Sequence, residues 1–199
     1  MFKGLKDKES KTERTKSYGA SYPMLEIPQL ESSIPNSIGN LTSLEEFNLR
    51  RNQMSGIIPE SLGKLSSLVS LDIFYNKWEG AITEAHFAKL GGLRKVLIGN
   101  YSQNISFSLV FNISSDWIPP FKLRFLEIIS CQLGPKFPTW LRNQTELTTV
   151  VLRSARISGT IPDWFWQLDL QLDELNFADN QLRGRVPNSL RFSYDSVWA

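Results

Sequence analysis

Apolar residues recur along this chain at one spacing that is used several times. In segments 41–49 (LTSLEEFNL) and 65–73 (LSSLVSLDI), large apolar residues occupy places 1, 4, 7 and 9. Side chains alternate between the two faces of a strand, so places 7 and 9 point to the same side. The spacing therefore predicts a short β-strand with one buried face in each segment, with Phe47 and Leu49 as the first inward pair.

A second phrase follows these segments at a fixed distance. Residues 54–63 read MSGIIPESLG and residues 157–166 read ISGTIPDWFW, with Gly56 and Gly159 separated by 103 positions. Alignment on this phrase divides the chain from Leu41 into units of 24, 25, 30, 24 and 25 residues, followed by a sixth unit. The 30-residue unit carries about six extra residues within 99–108. A period of this length with the L-x-x-L-x-x-L-x-L spacing is typical of leucine-rich repeats.

The repeats predict the fold class and the limits of the domain. We expect an α/β-type repeat solenoid, a leucine-rich-repeat superhelix with a parallel β-sheet on its concave face, in which neighbouring units complete each other's core. Residues 30–190 are assigned to a leading half unit and six full units. Residues 1–29 do not fit the repeat and begin with a strongly charged stretch, so they are predicted to be a disordered basic tail. Residues 191–199 are predicted to be a tail that does not continue a repeat.

Place 12 of the units predicts a hydrogen-bonded ladder inside the solenoid. Asn52, Asn76 and Asn180 stand where each strand turns away, and a buried amide there can bond the backbone of adjacent turns. Cys131 and Ala155 occupy the same place in two other units. Because Cys131 is the only cysteine, no internal disulfide can form, and its position predicts a structural role rather than a nucleophilic one.

Charge and hydropathy argue against several classes of function. The net charge of +2 combines +3 in residues 1–16 with −1 in the rest of the chain, so the body lacks the clustered cations that nucleic-acid binding requires. No apolar core of a secretory leader is visible at the start, and no uncharged segment is apolar enough to span a membrane. Five glycosylation sequons, more than chance predicts, favour a secretory-pathway origin; they begin at Asn40, Asn100, Asn104, Asn112 and Asn143.

Catalytic, metal and cofactor motifs are not found in the sequence. His86, the only histidine, has no accompanying nucleophile motif and is predicted to be a surface residue in a convex-side turn. Glu45 and Glu46 point to opposite faces of a strand and cannot share a substrate. The aromatic run 164–166 could form a carbohydrate platform, but packing on the convex side is the favoured interpretation. We therefore expect a protein that is not an enzyme and has no cofactor or metal.

Several phrases resemble the ectodomains of plant leucine-rich-repeat receptor-like proteins. They include GIIPESLGKLSSL, KWEGAITEAHFAKL, SSDWIPPFKLRFLEI, SCQLGPKFPTWL and ARISGTIPDWFWQLDLQLDELNFADNQLRGRVPNSL, and the resemblance covers residues 30–190. The G-x-I-P phrase is the plant extracellular form of the repeat, which adds a second short strand to each unit. The resemblance implies a cell-surface receptor of defence or development that binds a peptide, carbohydrate or protein ligand and recruits a partner receptor kinase.

The family pattern also implies a location and leaves alternatives open. Family members lie at the plasma membrane with the repeats on its extracellular face, between cysteine-paired caps, and carry a signal peptide and a membrane helix. Since none of these features is found in this sequence, the chain is expected to be an internal piece of such a receptor. The alternatives are a secreted inhibitor of microbial wall-degrading enzymes, which would need the caps, and a non-functional receptor remnant.

The candidate ligand-binding residues are those that the repeat points outward from the sheet. These are places 6, 8, 10 and 11 of each unit, apart from the third unit, whose register is uncertain near its insertion. Phe74 and Tyr75 beside Phe125 and Ile129 are the best hot-spot candidates, against the alternative of a tolerated surface. The full set is Glu46, Asn48, Arg50, Arg51, Ser70, Asp72, Phe74, Tyr75, Phe125, Glu127, Ile129, Ser130, Thr149, Val151, Arg153, Ser154, Glu174, Asn176, Ala178 and Asp179.

Overall fold

The repeats fold into short parallel strands joined by turns and short helices. The computed structural model describes residues 30, 32–100, 109–187 and 190–193. The predicted tail 1–29, most of the insertion in the third unit with Asn104, and residues 194–199 lie outside the described residues. Within them, the strands in chain order are β1 (Glu46–Asn48), β2 (Ser55–Ile57), β3 (Ser70–Asp72), β4 (Lys77–Ile82), β5 (Lys95–Gly99), β6 (Leu109–Phe111), β7 (Phe125–Ile129), β8 (Thr149–Arg153), β9 (Ser158–Thr160), β10 (Gln171–Leu172), β11 (Glu174–Asn176), β12 (Gln181–Arg183) and β13 (Arg191–Phe192).

One six-stranded parallel sheet runs through the described units and confirms the predicted sheet. Its strand order is β1–β3–β5–β7–β8–β11, so each unit contributes the strand predicted from places 6 to 9. Equivalent places pair with each other, as Phe47 does with Leu71 and Leu71 with Val96. This register stacks every inward residue on the inward residue of the next unit.

Smaller parallel sheets follow on the side of the solenoid where the Gly-x-Ile-Pro phrase lies. β2, β4 and β6 form one of them, and β9 pairs with β12. In the fourth unit Pro135 stands at the glycine place, where proline cannot adopt a positive φ. Within the described residues, an isolated bridge between Val110 and Gln132 continues the pairing there.

The glycine and the proline of the repeated phrase have different structural roles. Gly56 and Gly159 have φ of 85° and 88°, a region that favours glycine, and both lie within the second strands β2 and β9. Pro59 and Pro162 adopt extended backbone and immediately precede short helices. In the described residues these are the 3₁₀ helices Asn36–Asn40, Glu60–Lys64, Glu84–Phe87 and Thr139–Asn143, and the four-residue helix α1 (Asp163–Trp166).

His86 is a buried structural residue, so the expectation that it lies on the surface is wrong. Thr83 stands where the phrase has proline in other units, and it forms a capping box with His86. Nδ1 of His86 accepts the Thr83 N–H at 3.0 Å, which leaves the Nε2 proton to donate to the Ile58 carbonyl at 2.9 Å. The imidazole is only 2% exposed and ties its helix to the preceding unit.

The hydrophobic core is one cluster that extends through all described units from Ile34 to Leu172. The predicted inward residues Phe47 and Leu49 are buried in it, as are Leu147, Val150 and Leu152. Pairing extends two residues past the boundary predicted at residue 190, because β13 pairs in parallel with β10.

The predicted ladder at place 12 is confirmed. The Asn76 side chain bonds Met54, Leu49 and Ile73, and that of Asn180 spans the fifth and sixth units in the same way. The Cys131 thiol makes only one contact of this kind, to the Ile129 carbonyl at 3.5 Å. Backbone groups that face the inside of the solenoid therefore find partners through side chains of the adjoining unit.

Candidate ligand-binding face

The candidate face is the side of the six-stranded sheet that points away from the core, and we call it the concave face. The strand register arranges its side chains in three rows, at places 6, 8 and 10 of the units. The place-6 row is Glu46, Ser70, Lys95, Phe125, Thr149 and Glu174; the place-8 row is Asn48, Asp72, Leu97, Glu127, Val151 and Asn176; the place-10 row is Arg50, Phe74, Gly99, Ile129, Arg153 and Ala178.

The third unit supplies members of these rows that the sequence argument left out. Lys95, Leu97 and Gly99 stand opposite Phe125, Glu127 and Ile129 in continuous register. The extra residues of this unit come after its strand, so counting places from Leu90 would have found all three. Arg124 was also missed, because places 5 and 6 were expected to point to opposite faces, as argued for Glu45 and Glu46. In the structure place 5 precedes the strands, and Glu45 and Arg124 are both exposed.

Place 11 lies beyond the strands, which corrects the prediction that it is an outward strand position. Arg51, Tyr75, Ser130, Ser154 and Asp179 all have φ between 49° and 58°, the left-handed region. They form the turn that takes the chain off the sheet, immediately before the ladder place. Arg51 and Tyr75 still reach the concave side, since the Arg51 guanidinium lies 5.5 Å from the Tyr75 ring centroid.

Four apolar side chains form a second cluster on the concave face. Phe74, Leu97, Ile129 and Val151 are 0%, 8%, 1% and 4% exposed, and they are separate from the main core. The expectation that Phe74 and Ile129 present their side chains to solvent is therefore wrong, and the same holds for Val151. Adjacent strands place these side chains next to one another, where large apolar groups exclude water. Of the hot-spot candidates, Tyr75 is half-buried and Phe125 is 43% exposed.

Arg50 is held in place by acidic and aromatic neighbours. Its Nη1 donates to Oδ2 of Asp72 at 3.4 Å, and its guanidinium lies 5.0 Å and 5.4 Å from the ring centroids of Phe74 and Tyr75. The two rings meet edge to face at 4.8 Å. Arg50 thus covers one end of the concave apolar cluster through cation–π contacts.

Short polar side chains at place 8 form hydrogen bonds with the nearby backbone. Asn48, Asp72 and Asn176 each accept the N–H of the residue two positions later, at 3.0, 3.2 and 3.0 Å. Asp72 is also buried, at 5% exposed. These side chains help the strand to end and are less open to a ligand than the sequence argument expected.

Other charged candidates of the concave face include Arg153, Asp179, Glu46 and Glu127. Arg153 donates from Nε to Oδ2 of Asp179 at 2.7 Å, which links the fifth unit to the sixth on the surface. Glu46 is exposed at the first strand, and Glu127 is half-buried in the middle of the sheet.

Two features of the described residues bear on catalysis, namely the environment of the Cys131 thiol and the distribution of possible metal ligands. Desolvation by burial raises the pKa of the Cys131 thiol from its ordinary value of 9.0 to about 12, so the group stays protonated at neutral pH and is a poor nucleophile. Among the residues described, no three His, Cys, Asp or Glu side chains lie close enough together to hold a metal ion.

The aromatic run on the convex side packs, as the favoured interpretation expected. Phe165 is 1% exposed and lies 5.2 Å from Phe137 between ring centroids, while Trp164 and Trp166 are half-buried against the core. Of the sequon asparagines in the described residues, Asn40 and Asn112 are exposed, whereas Asn100 and Asn143 are half-buried.

Comparison with known proteins agrees with the repeat architecture. A family model described as "Leucine-rich repeat region" matches residues 24–158, which begins six residues before the repeat boundary predicted here. The chain belongs to the leucine-rich-repeat family. In that family it is similar to Receptor-like protein EIX2 of Solanum lycopersicum, with 40% identity over 105 residues, 52% of this chain and 10% of the relative. Receptor-like protein EIX1 of the same species is 39% identical over 113 residues, 56% of this chain and 10% of that protein.

Solved leucine-rich-repeat structures also resemble the chain. The crystal structure of PEPR1–AtPEP1 superimposes with a TM-score of 0.63 and 32% identity over 77% of this chain and 21% of the other. The crystal structure of a TDR receptor gives 0.61 and 26% identity over 79% of this chain and 26% of the other. The chain spans about a tenth of the length of the two curated relatives named above. None of the helices in the described part of the chain has the length and hydropathy of a membrane-spanning segment.

Proposed function

We propose that this leucine-rich-repeat chain is part of the extracellular region of a plant receptor-like protein, and that its concave face recognises a peptide or protein ligand without catalysis. The observation that carries the proposal is the concave face itself. Six strands in one register present an exposed aromatic side chain, Phe125, among charged side chains on a rigid sheet. Rigid aromatic anchors surrounded by polar groups are the usual composition of a recognition surface.

The relatives support the same class of function. The two tomato proteins are receptor-like proteins, and the PEPR1–AtPEP1 structure shares the fold. Because the chain corresponds to about a tenth of those relatives, features of a whole receptor belong to the proposal as well. These are a plasma-membrane location with the repeats outside, a partner receptor kinase, and a role in defence or developmental signalling.

Peptide-display panning against the secreted full chain tests this function. The chain would be fused to a heterologous secretory leader, and a random peptide library would be panned against it. We expect enriched peptides whose binding falls when Phe125 is changed to alanine and is unchanged by Lys89→Ala, an exposed residue at the end of the second unit. Both variants remove one exposed side chain, so a general loss of folding would affect them alike.

The panning result can also reject the proposal. Peptides that respond to Lys89→Ala as strongly as to Phe125→Ala would place binding away from the concave face. An empty selection, with no binding on a glycan microarray either, would favour a receptor remnant without a ligand. An empty selection with glycan binding that depends on Phe125 would redirect the proposal to a carbohydrate ligand.

A further inference from the structure

We propose that Lys95, Arg124 and Phe125 form the docking site for a short acidic segment of the ligand that carries an apolar side chain next to its carboxylates. Lys95 and Phe125 belong to the place-6 row at the start of β5 and β7, and Arg124 is the exposed residue immediately before β7. This inference names the chemistry of the ligand and therefore rests on the function proposed above.

Charge is distributed unevenly along the strand-start row, which we define as places 5 and 6 of the six units. The row is acidic in the first and last units, basic in the third and fourth, and uncharged in the second and fifth. Its members, in chain order, are Glu45, Glu46, Val69, Ser70, Arg94, Lys95, Arg124, Phe125, Thr148, Thr149, Asp173 and Glu174. A basic centre between two acidic ends is thus built into one edge of the sheet.

Backbone hydrogen bonds fix the spacing within this basic centre. The N–H groups of Arg124 and Phe125 both donate to the Arg94 carbonyl, at 2.8 and 3.1 Å. Lys95 stands directly opposite Phe125 in the strand register. Neighbouring strands are about 4.8 Å apart, so the backbones of the third and fourth units hold these basic residues on adjacent chains.

Lys95 and Arg124 have no carboxylate partner in the described part of the chain, unlike Arg50 and Arg153. No carboxylate of the described residues lies within 4.0 Å of the Lys95 or Arg124 side-chain nitrogens, whereas Arg50 is paired with Asp72 and Arg153 with Asp179. The Nη1 of Arg94 donates to the Leu93 and Lys122 carbonyls, at 3.2 and 3.1 Å. Lys95 and Arg124 therefore remain available to charge-assisted hydrogen bonds from outside.

Phe125 supplies the apolar half of the site. Its side chain is 43% exposed, and its strand neighbour on one side is Lys95 and on the other Thr149. An aromatic ring beside two unpaired cations fits a segment in which an apolar side chain follows or precedes a carboxylate. Aromatic anchors of this kind often dominate the binding energy of an interface.

The acidic ends of the row limit the length of the acidic segment. Glu46 in β1 and Glu174 in β11 each lie two strands away from the basic centre, which is about 10 Å at the usual strand spacing. A long polyanion would meet these carboxylates and be repelled. The geometry therefore favours a short acidic peptide segment over an extended acidic polysaccharide.

Fluorescence anisotropy with defined peptides tests the site on the secreted full chain. The probes are a labelled, end-capped peptide of sequence GEFEG and its counterpart GKFKG. We expect the acidic peptide to bind more tightly, with affinity that falls as salt is added. The Lys95→Glu/Arg124→Glu variant should weaken its binding by about tenfold, since two ion pairs are lost, one at a half-buried lysine and one at an exposed arginine. The matched control is Arg183→Glu/Arg185→Glu, which reverses two exposed arginines outside the six-stranded sheet and should leave binding unchanged.

Several results would overturn the proposal. Equal binding of the two peptides, or an unchanged affinity in the Lys95→Glu/Arg124→Glu variant, would show that the basic centre does not select acidic ligands. Polygalacturonate that competes better than the peptide would assign the site to a polysaccharide instead. If display panning yields concave-face binders that ignore the Lys95→Glu/Arg124→Glu change, this inference fails while the proposed function stands.

Discussion

The side-chain oxygen of Asn76 accepts the backbone N–H of Met54, 22 positions earlier in the chain, at 3.1 Å. The amide nitrogen of Asn76 donates to the Leu49 carbonyl at 2.8 Å and to its own unit at Ile73 and Phe74. One buried side chain, 5% exposed, thus satisfies backbone groups of two successive units. Consecutive repeats are joined through side chains as well as through strand pairing.

The Asn76→Ala variant should be strongly destabilised. The change leaves the buried Met54 N–H without a partner and removes one of the two donors to the Leu49 carbonyl, which keeps its bond from Asn52 at 2.9 Å. We expect the free energy of unfolding to fall by about 1–3 kcal/mol. Urea denaturation of the full chain measures this. Asn48→Ala is the matched control, because that exposed side chain accepts only the Arg50 N–H and should cost about 1 kcal/mol or less. Equal losses in the two variants would contradict the ladder's role.

The positions of the strands and of their inward residues could be predicted from the sequence, because the repeat spacing determines them. Places 7 and 9 predict inward strand residues, and the conclusion holds for Phe47, Leu49, Val150 and Leu152. Place 12 predicts the ladder, since asparagine has both a donor and an acceptor. His86 was misplaced because a single unit departs from the phrase. Thr83 replaces proline there, and only the three-dimensional capping contact shows why a histidine follows three residues later.

The surface was harder to predict because it depends on neighbours from other units. Phe74 was expected to be exposed, but its burial depends on Leu97, Ile129 and Val151 from three further strands. The ion pair of Arg50 also depends on another unit, because its partner Asp72 lies in the next one. Pairing between units decides which charges are already neutralised, and a single unit's sequence carries no such information.

Glycines of the repeat should differ sharply in their tolerance of alanine. A Cβ on Gly63 would lie 2.0 Å from the Ala85 carbonyl oxygen, because two successive 3₁₀ helices meet there. Gly63→Ala must push these helices apart and should cost about 3 kcal/mol or more. Gly159 has open space around it but a φ of +88°, so Gly159→Ala should cost about 1–2 kcal/mol through backbone strain alone.

Thermal or urea unfolding of the two glycine variants checks this order. Gly91→Ala is the control, since its nearest neighbour atom would be 3.7 Å away and its φ is not positive. We expect Gly91→Ala to change stability by less than about 0.5 kcal/mol. If Gly159→Ala were more damaging than Gly63→Ala, backbone conformation and not close helix approach would be the stronger constraint.

Cys131 should be unreactive in the folded protein and should make stability depend on alkaline pH. Burial raises its pKa from 9.0 to about 12, so the folded chain keeps the proton while the unfolded chain loses it above pH 9. The contribution to stability is therefore full below about pH 9 and is lost as pH rises towards 12. We expect the stability difference between the natural chain and Cys131→Ala to shrink as pH is raised from about 9 to 11.

Thiol labelling provides a second readout for Cys131. Iodoacetamide at pH 8 should modify the thiol slowly in the native chain and rapidly in urea, because the buried thiol, 2% exposed, has little thiolate and little access. Rapid labelling of the native chain would contradict the burial of the fourth unit's ladder place.

N-linked glycans should attach selectively among the sequons of the secreted chain. Asn40 and Asn112 are exposed, and Asn40 ends a 3₁₀ helix while Asn112 follows β6. Asn100 is half-buried, and its side-chain nitrogen donates to the Asn76 carbonyl at 3.4 Å. Since a glycan is attached through that nitrogen, we expect modification at Asn40 and Asn112 but not at Asn100.

Glycopeptide mass spectrometry of the leader-fused chain from a eukaryotic host measures this selectivity. Thr42→Ala and Ser114→Ala remove the sequons of Asn40 and Asn112 without changing the asparagines, and each should remove one glycan. Asn100→Gln should leave the glycan mass unchanged. A glycan on Asn100 in folded, secreted protein would contradict the half-buried position of this side chain against Asn76. Glycans at Asn40 and Asn112 would lie on or beside the short helices and second strands, and would leave the concave face open to a ligand.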